Sequence, residues 1–286
     1  MSSFPFARME ATGNDFIVVY RHDLPHDIGP NHSPSLCDRS HGEGADGVLV
    51  IGFGPSLPPS YRQLGVTASM TLWNADGSEA EMCGNGLRAI ALLLHLDGHW
   101  DGNGVLQIGS PAGVVMARLV RPPVEQTAQL ELALAAPQKL ERDSLEIRAG
   151  GHRLQGRRID MGNPHFVLFQ DEQLAPLPDL SIWGAAAEHA AEFPDRSNVE
   201  WAMVEGPQRI RLRVWERGVG ETLACGSGAC ATAIAARISG RIKDDPVQVI
   251  LPGGSLQVSW AGGPSDPVLL QGAATLCYRA NWTEPR

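Results

Sequence analysis

Two stretches of this sequence decide the fold, because one repeats the other. The first is Met82–Ala91, which reads MCGNGLRAIA, and the second is Ala224–Ala233, which reads ACGSGACATA. Cys225 follows Cys83 by 142 positions, about half of the 286-residue chain. A repeat at that distance predicts a duplicated structural unit. The chain is therefore expected to form two similar α/β halves and not one large domain.

Further matches support the duplication. The same offset aligns Asn74 with Glu216, ahead of the two cysteines. A weaker echo aligns Gly13–Val18 (GNDFIV) with Gly162–Val167 (GNPHFV) at a nearly equal spacing. Several matched features at nearly one spacing favour an ancestral repeat over a chance likeness of two Gly-rich segments.

Short runs rich in β-branched and aromatic residues recur in both halves. Most are bounded by Gly, Pro, Asn or Asp, as strands are. The expected strands are Phe16–Tyr20, Gly47–Ile51, Ala68–Trp73, Val114–Val120, Phe166–Phe169, Ile210–Trp215, Val247–Leu251 and Ser255–Trp260. The pair Pro122-Pro123 is interpreted as a linker between the halves, and 183–192 as a surface helix of the second half.

Each Cys-Gly stretch is expected to open a helix. After Cys83, apolar residues recur at the spacing of one helical face, from Leu87 to Leu94. After Cys225, the segment Ala229–Ala236 is apolar almost all round and consists mostly of alanine. A helix that is apolar on every side is buried, and small side chains let a sheet pack closely around it.

The composition excludes several classes of function. The chain has 23 basic and 32 acidic side chains, a net charge of −9, so no basic face for a nucleic-acid backbone is expected. Its longest apolar stretch, Ala89–Leu94, is far shorter than the roughly 20 residues of a membrane helix, and no secretory signal opens the sequence. We expect a soluble, cytoplasmic protein with neither a nucleic-acid nor a membrane partner.

Neither a cofactor nor a metal is expected. Pyridoxal phosphate needs a Schiff-base lysine, and the two lysines, Lys139 and Lys243, lie in no recognisable motif. The five cysteines form no Cys-x-x-Cys pair, and their odd number argues for free thiols. His95 and His99 are four residues apart, but no third ligand stands near them.

The chemistry of the two Cys-Gly turns points to catalysis at carbon. Unpaired N–H groups at a helix N-terminus bind anions, and glycines let a ligand approach the backbone. The same dipole is expected to lower the pKa of Cys83 and Cys225 below about 8.5. Two thiols on opposite sides of one bound carboxylate could remove a proton from one face and return one to the other. That reaction is a racemisation or epimerisation.

Six motifs resemble those of the diaminopimelate epimerase family, whose members interconvert LL- and meso-diaminopimelate without pyridoxal phosphate. They occur in family order and span Thr12 to about Tyr278. They are Thr12–Phe16 (TGNDF), Gly44–Gly47 (GADG), Asn74–Ser78 (NADGS) leading to Met82–Gly86 (MCGNG), Met161–His165 (MGNPH), Asn198–Glu200 (NVE), and Glu216–Thr222 (ERGVGET) leading to Ala224–Gly228 (ACGSG).

The resemblance implies an α/β (α+β) fold of two pseudo-symmetric domains. Each would be a barrel-like β-sheet around a central helix, with the active site in the cleft between them. We expect residues 1–121 plus about 268–286 in the half that carries Cys83, and 122–267 in the half that carries Cys225. The resemblance also implies a small amino-acid substrate, a role in lysine and cell-wall precursor biosynthesis, and the homodimer that the family often forms.

The resemblance further implies roles for particular residues. Cys83 and Cys225 would be the proton donor and acceptor, exchanging roles with the direction of reaction. The backbone at both helix starts would bind the reacting carboxylate, through Gly84, Asn85, Gly226 and Ser227, with Asn14 beside it. The distal, unreactive groups of the substrate would be held by Asn74, Asn163, Asn198, Glu216 and Arg217. Arg grips carboxylates through two hydrogen bonds, which suits this role.

Several residues have simpler interpretations. His165 is either an auxiliary that orients a thiol or a buried core histidine. Asp15, Asp46 and Asp76 are expected to serve turns, because Asn-Asp and Asp-Gly are turn sequences. The remaining cysteines, at positions 37, 230 and 277, are interpreted as core or packing residues.

The sequence departs from the family pattern at three places. Glu10-Ala11 stands where many members have His-Gly, Glu43 where an aliphatic residue is usual, and Gly47 where some members have a Gln that contacts substrate. These positions bear on affinity and not on the thiols.

Two alternative functions stay open at this point. The first is a related racemase acting on proline, hydroxyproline or histidine, although proline-type enzymes carry His where Asn85 stands. The second is a non-catalytic amino-acid-binding or redox-sensing protein, whose two thiols would form a disulfide on oxidation. A phenazine-biosynthesis-like isomerase would share the fold but typically lacks the thiol pair.

Overall fold

The computed structural model describes residues 3–172 and 179–283. Its contacts divide the chain into two compact units, Met1–Leu132 with Gly272–Arg286, and Ala133–Gln271. The Pro122-Pro123 pair, which we interpreted as a linker, lies inside a strand, Gly113–Val124. Pro122 is exposed and Pro123 half-buried, and both lie near the end of the strand, beyond the residues that pair with β6.

The first unit folds one sheet around one helix. Its elements are β1 Ser3–Ala11, β2 Asn14–Tyr20, α1 Ser33–Cys37, β3 Gly47–Phe53, α2 Pro59–Gln63, β4 Ala68–Asn74, β5 Glu79–Ala80, α3 Gly84–Leu96, β6 Leu106–Ser110, β7 Gly113–Val124 and β8 Thr127–Leu134. The strand pairs are β1–β2 antiparallel, β2–β3 parallel, β3–β4 antiparallel, β4–β6 parallel and β6–β7 antiparallel. Helix α3 contacts β1, β2, β3, β4 and β7, so the sheet curves around it.

The second unit repeats this arrangement strand for strand. Its elements are β9 Lys139–Leu140, β10 Leu145–Ala149, β11 His152–Asp160, β12 Pro164–Phe169, α4 Leu180–Glu188, β13 Asn198–Gly206, β14 Arg209–Glu216, β15 Gly220–Thr222, α5 Gly226–Ile238, β16 Val247–Leu251, β17 Gly254–Trp260 and β18 Val268–Thr283. The pairs β11–β12, β12–β13, β13–β14, β14–β16 and β16–β17 are antiparallel, parallel, antiparallel, parallel and antiparallel. This is the order found in the first unit, so the predicted duplication is confirmed as two pseudo-symmetric halves of mixed α+β structure.

The final strand belongs to both sheets. The first residues of β18 pair with β17 of the second unit, from Val268 to Gln271. Its later residues, Thr275–Thr283, pair with β1 of the first unit. The chain therefore contributes its last strand to the sheet in which it began.

The two central helices bury different kinds of side chain. In α3 the leucines and isoleucine at positions 87, 90 and 94 are fully buried, as their helical spacing predicted. In α5 every residue from Ala229 to Ala236 is buried, which confirms the prediction of a helix enclosed on all sides. Burial of this apolar surface stabilises each unit by about 25 cal/mol for each Å² removed from water.

All eight expected strands lie within observed ones. The expected surface helix differs, since α4 spans Leu180–Glu188 and buries Trp183 completely against β10 and β13. Leu180 and Ala187 are buried on the same face, so α4 packs one side into the core and leaves the other at the surface. Among the described residues, no helix combines the length and apolar character that crossing a membrane requires.

Candidate active site

Cys83 is the N-cap of α3. Its backbone is extended, with φ −146° and ψ 106°, and the helix begins at Gly84. The Sγ atom accepts a hydrogen bond from the backbone N–H of Gly86 at 3.4 Å. A side chain that caps a helix in this way points along the first turn. The thiol thus lies beside the first N–H groups of α3, which have no partner within the helix.

Cys225 has the same relation to α5. Its φ of −134° and ψ of 113° are extended, and Sγ accepts from the N–H of Gly228 at 3.4 Å. The helix begins at Gly226, followed by Ser227. Two cysteines 142 positions apart in the sequence therefore hold equivalent positions at two equivalent helix starts.

The third residue of each motif is glycine because of close packing. A Cβ at Gly86 would lie 2.9 Å from Leu49 Cδ2. A Cβ at Gly228 would lie 2.9 Å from Glu200 Oε1 and 3.3 Å from Cys225 Sγ. A larger residue at either position would have to displace its neighbour, so packing favours glycine as the last residue of each Gly-x-Gly.

The structure brings Asn14 and Asn85 together. The Asn85 amide Nδ2 donates to Asn14 Oδ1, and Asn14 Nδ2 donates to Asp46 Oδ2 at 3.1 Å. Asn85 is the second residue of α3, next to the thiol, and is buried. Two of the predicted substrate-binding amides thus share one hydrogen-bonded row at the start of α3.

Arg88 holds the Asn85 end of this row in place. It is fully buried in α3 and donates to Asn85 Oδ1, to Thr12 Oγ1 at 2.8 Å and to the Ala273 carbonyl at 3.3 Å. The sequence reasoning missed this residue. Its signal was an arginine within a helical segment that is otherwise apolar, where a charge needs a specific role.

Asp15 and Asp46 form an ion cluster and not simple turns, contrary to our interpretation. Arg39 donates to both carboxylates, at 2.8 Å to each, and Arg8 pairs with Asp15. The two aspartates also bond each other's backbone N–H. Burial acts to raise the pKa of Asp15, but Arg39 and Arg8 outweigh it and hold that pKa below its usual value. The cluster fixes Asp46, and through it Asn14.

The turn interpretation of Asp76 is confirmed. Its carboxylate accepts from the N–H of Ser78 at 2.9 Å and from the Ser78 hydroxyl at 2.6 Å. These two bonds hold the pKa of this exposed carboxyl below its usual value. The turn follows Asn74, whose Nδ2 donates to Ser78 Oγ at 2.9 Å.

The structure shows the local contacts of two departures from the family pattern, Gly47 and Glu10. Gly47 lies across from Asn74 in the β3–β4 ladder, and a Cβ there would lie 2.8 Å from Leu72 Cδ1 and 2.9 Å from the Trp73 carbonyl. Glu10 accepts a hydrogen bond from the N–H of Gly13 and so stabilises the turn before Asn14.

In the second unit, polar side chains converge on Cys225. Ser227 Oγ lies 3.5 Å from Cys225 Sγ, and Asn163 Nδ2 donates to Ser227 Oγ at 3.4 Å. Glu216 accepts a hydrogen bond from the Thr222 hydroxyl, and its charge acts on the Cys225 thiol. Predicted residues from β14, the loop before β12 and the start of α5 therefore meet at this thiol.

His165 lies behind these groups, completely buried. Its Nδ1 is 2.6 Å from Glu200 Oε1 and its Nε2 is 3.0 Å from Asn163 Oδ1. The ring is a buried histidine with two hydrogen-bond partners, as the interpretation of a core histidine predicts. It also contacts the predicted site residue Asn163, as the interpretation of an auxiliary requires. Glu200 belonged to a quoted motif but was not selected from the sequence.

The ionisation of Cys225 differs from our expectation. Burial raises the pKa of its thiol well above the usual value, and the charges of Glu216 and Glu200 raise it further. Burial likewise raises the pKa of both carboxyl groups. Desolvation and two nearby carboxylates outweigh the helix dipole, which acts only over the first turn. The pKa of the Cys225 thiol is therefore raised and not, as expected from the helix start, lowered.

Asn198 and Arg217 form a brace. Asn198 Nδ2 donates to the Pro164 carbonyl at 2.9 Å, and its Oδ1 accepts from the Arg217 N–H at 2.9 Å. Arg217 is exposed and donates to the Asp195 carbonyl at 3.2 Å. Asn198 thus positions the backbone of the loop that presents the Arg217 guanidinium.

A family model described as diaminopimelate epimerase matches residues 6–126 and 157–276, one segment in each unit. The chain belongs to the diaminopimelate epimerase family. A Synechococcus sp. (strain JA-3-3Ab) diaminopimelate epimerase is 41% identical over 273 residues, 91% of either chain. Those of Moorella thermoacetica and Pseudomonas aeruginosa UCBPP-PA14 are each 36% identical, covering 97% and 96% of this chain and 98% and 96% of their own.

Solved structures of other enzymes share the fold of this family. A probable proline racemase from Agrobacterium radiobacter K84 superposes with a TM-score of 0.70 at 12% identity, over 99% of this chain and 93% of its own. A phenazine biosynthesis protein of the PhzF family from Bacillus anthracis gives 0.66 at 12% identity, over 99% and 100%. At this sequence identity the likenesses show a shared fold alone.

The diaminopimelate epimerase motifs of the two matched segments place equivalent groups in the two units. In this chain they place one thiol, one Gly-x-Gly helix start and one asparagine cluster in each unit. Arg39, Arg88 and Glu200 hold those groups from outside the predicted set. Glu200 and its partner His165 are 35 positions apart, whereas Arg39 and Arg88 bond partners seven and three positions away.

Two of the three remaining cysteines fit the packing interpretation and one does not. Cys37 and Cys230 are buried, whereas Cys277 is exposed on β18. From Val268 to Leu276 the strand alternates buried and half-buried positions, and Cys277 falls on the outward side of that alternation. The interpretation of Cys277 as a core residue was wrong.

Proposed function

We propose that this chain interconverts LL- and meso-diaminopimelate by a two-base mechanism without a cofactor. The observation that supports it is the equivalence of Cys83 and Cys225, two thiols that each cap a Gly-x-Gly helix start. A two-base mechanism requires a base on one face of the α-carbon and an acid on the other. One thiol from each repeat satisfies this requirement if both act on the same α-carbon.

The proton inventory is balanced in each turnover. In one direction the Cys83 thiolate takes the α-proton while the Cys225 thiol delivers its own proton to the opposite face. The reaction leaves Cys83 as thiol and Cys225 as thiolate, and the reverse reaction starts from that state. The raised pKa of Cys225 supports its role as the initial acid. Donors at both helix starts would stabilise the carboxylate charge that grows as the α-proton leaves.

Glu216 is proposed to control the thiol at position 225. Its charge acts on the Cys225 thiol, and burial raises its own pKa. With its pKa so raised, the Glu216 carboxyl could give its proton to the Cys225 thiolate and regain one from solvent, while the Cys83 thiol releases to solvent the proton it took from the substrate. This would return Cys225 to its thiol form between turnovers.

The distal end of the substrate is proposed to bind Arg217, with Asn74 and Asn163 as further contacts. Arg217 is exposed, and a guanidinium can hold a carboxylate through two parallel hydrogen bonds. Asn198 is bonded at both ends to main-chain groups. Its contribution is therefore proposed to be the placement of Arg217, alongside any contact of its own.

We propose that the reaction belongs to lysine and cell-wall precursor biosynthesis and takes place in the cytoplasm. The name of the family supports the first part, because diaminopimelate is its substrate. The odd number of cysteines in the sequence supports the second, because it argues against a disulfide framework and thiols persist in a reducing compartment.

Incubation of the reduced protein with LL-diaminopimelate in deuterated water tests the proposal. We expect the meso form to appear with one deuterium at the inverted α-carbon. Proline, hydroxyproline and histidine serve as parallel substrates. Turnover of one of these without turnover of diaminopimelate would select the alternative racemase function, and exchange with none of them would reject both.

A further inference from the structure

Glu200 is a buried acid in an apolar setting. It lies on β13, where its neighbours in the ladder are Val167 and Val214, both fully buried. Its own side chain has no exposure to solvent. Burying a carboxyl group among apolar side chains costs free energy of folding unless the group is hydrogen-bonded or paired with another ionisable group. Glu200 is therefore expected to have a specific function.

The position of Glu200 is tightly fixed. Its Oε1 atom is 2.6 Å from His165 Nδ1, and this ring is equally inaccessible. The same oxygen is in contact with the first turn of α5, where only the glycine at 228 leaves room for it. Among the described residues, Oε2 has no hydrogen-bond partner. The carboxyl group is thus held by the ring on one side and by the helix on the other.

A continuous row of hydrogen bonds runs from Glu200 to Cys225. His165 Nε2 is 3.0 Å from Asn163 Oδ1, Asn163 Nδ2 is 3.4 Å from Ser227 Oγ, and Ser227 Oγ is 3.5 Å from Cys225 Sγ. These links join three elements, β13, the β12 region and the start of α5. The three middle residues, His165, Asn163 and Ser227, each hydrogen-bond the residue on either side of them in the row.

The proton positions along the row follow from chemistry. An Asn amide oxygen only accepts hydrogen bonds, so His165 Nε2 must carry a proton. The amide nitrogen of Asn163 then donates to Ser227, whose own hydroxyl proton is free to point at the sulfur. A ring nitrogen and a carboxyl oxygen only 2.6 Å apart must share a proton, so a second proton lies between His165 Nδ1 and Glu200 Oε1. The pair is neutral overall, as a buried pair should be.

We propose that Glu200 is a positioning residue of this epimerase: through His165 it fixes the orientation of the Asn163 amide and of the Ser227 hydroxyl at Cys225. The inference rests on the proposed function, because it assigns the purpose of the row to the reacting thiol. Glu200 does not touch substrate in this scheme. It determines which way the groups at the sulfur face.

Two substitutions of nearly equal size separate hydrogen bonding from packing. Glu200→Gln keeps the shape, and its amide can donate to Nδ1, so Nε2 remains a donor to Asn163. Glu200→Met keeps the length but leaves Nδ1 without a partner. We expect Glu200→Gln to retain kcat within about threefold, and Glu200→Met to lose on the order of tenfold to a hundredfold in kcat. Glu205→Met makes the same change on an exposed part of β13 and is expected to leave kcat unchanged.

Activity is accompanied by two further measurements. Nitrogen-15 NMR of the His165 ring in the wild-type protein is expected to show both nitrogens in a protonated environment, and in Glu200→Gln only Nε2. In a His165→Leu background, Glu200→Met is expected to cause no additional loss of kcat, because its effect passes through the ring. Circular dichroism and thermal unfolding establish that each variant is folded.

Several results would overturn the proposal. These are full activity of folded Glu200→Met, an equal loss in Glu200→Gln and Glu200→Met, or an additive loss with His165→Leu. A wild-type ring with an unprotonated Nε2 would also contradict it. The NMR measurement needs no turnover, so a wild-type protein inactive on diaminopimelate but showing the expected ring protons would reject the proposed function and retain the geometry of the row.

Discussion

Cys83 and Cys225 are N-caps of two equivalent helices, each with Sγ 3.4 Å from the N–H of the glycine three residues later. The capping geometry alone would suit serine as well as cysteine. Their environments differ, because Cys83 is partly exposed whereas Cys225 is buried beside Glu216 and Glu200. The duplication thus repeats the backbone conformation at both thiols, but burial and two carboxyl groups raise the pKa of Cys225.

Replacing each thiol by serine separates capping from catalysis. Cys83→Ser and Cys225→Ser keep an N-cap acceptor, so we expect little loss in the free energy of unfolding. We expect each to lose about 10²- to 10⁴-fold in kcat, because a hydroxyl is a far weaker acid and base at neutral pH. Deuterium incorporation and thermal unfolding measure the two effects. Cys277→Ser, at an exposed position, is the control, and near-full turnover in either active-site variant would reject the two-base mechanism.

The pKa of Cys225 is expected to fall when Glu216 loses its charge. Burial raises this pKa most and would persist, but Glu216→Gln removes the next largest cause. The rate of alkylation at Cys225, followed by mass spectrometry across a pH series, should then rise at a lower pH than in the wild type. Glu221→Gln, an exposed position paired with Arg213, is the matched control. An unchanged alkylation profile in Glu216→Gln would show that this carboxylate does not act on the thiol.

The two motif glycines are expected to differ in their tolerance of alanine. Alanine gains about 1 kcal/mol of helix propensity at either site. At Gly86 the new methyl group meets the end of Leu49, whereas at Gly228 it meets the pinned carboxylate of Glu200. Overpacking of a fixed group costs about 1–3 kcal/mol. Calorimetry should give Gly228→Ala the lower Tm of the two, and the reverse order would mean that Glu200 is free to move.

Arg39 is expected to stabilise the fold near neutral pH and not in acid. The pKa of Asp15 is lowered in the folded protein from its ordinary value of 3.8, so the stabilisation is present above that value and is lost as pH falls through the folded pKa. Arg39→Ala should therefore lower the free energy of unfolding by about 1 kcal/mol or less at pH 7, with a smaller difference in acid. Urea unfolding at several pH values measures it. Arg21→Ala, which breaks an exposed pair with Asp27, should show no link to Asp15.

Much of the fold could be read from the sequence because its determinants are local. The Gly-x-Gly after each cysteine, the period of α3 and the alanine-rich face of α5 each indicate their structure within about ten residues. Predictions failed where tertiary contacts overrode a local signal. Pro122-Pro123 continued a strand, and Trp183 became a core residue. The expected low pKa of Cys225 failed similarly, since the carboxylates beside it come from β13 and β14.

The sequence by itself determined the duplication, the thiol at each helix start and the family, because these depend on residue types at short or regular spacing. Only the tertiary structure decided what surrounds each thiol. Asn14 meets Asn85 across 71 positions, and His165 meets Glu200 across 35. Such pairs depend on the register of strands around a central helix, which no local pattern encodes. The catalytic groups are therefore evident in the sequence, and the groups that orient them are not.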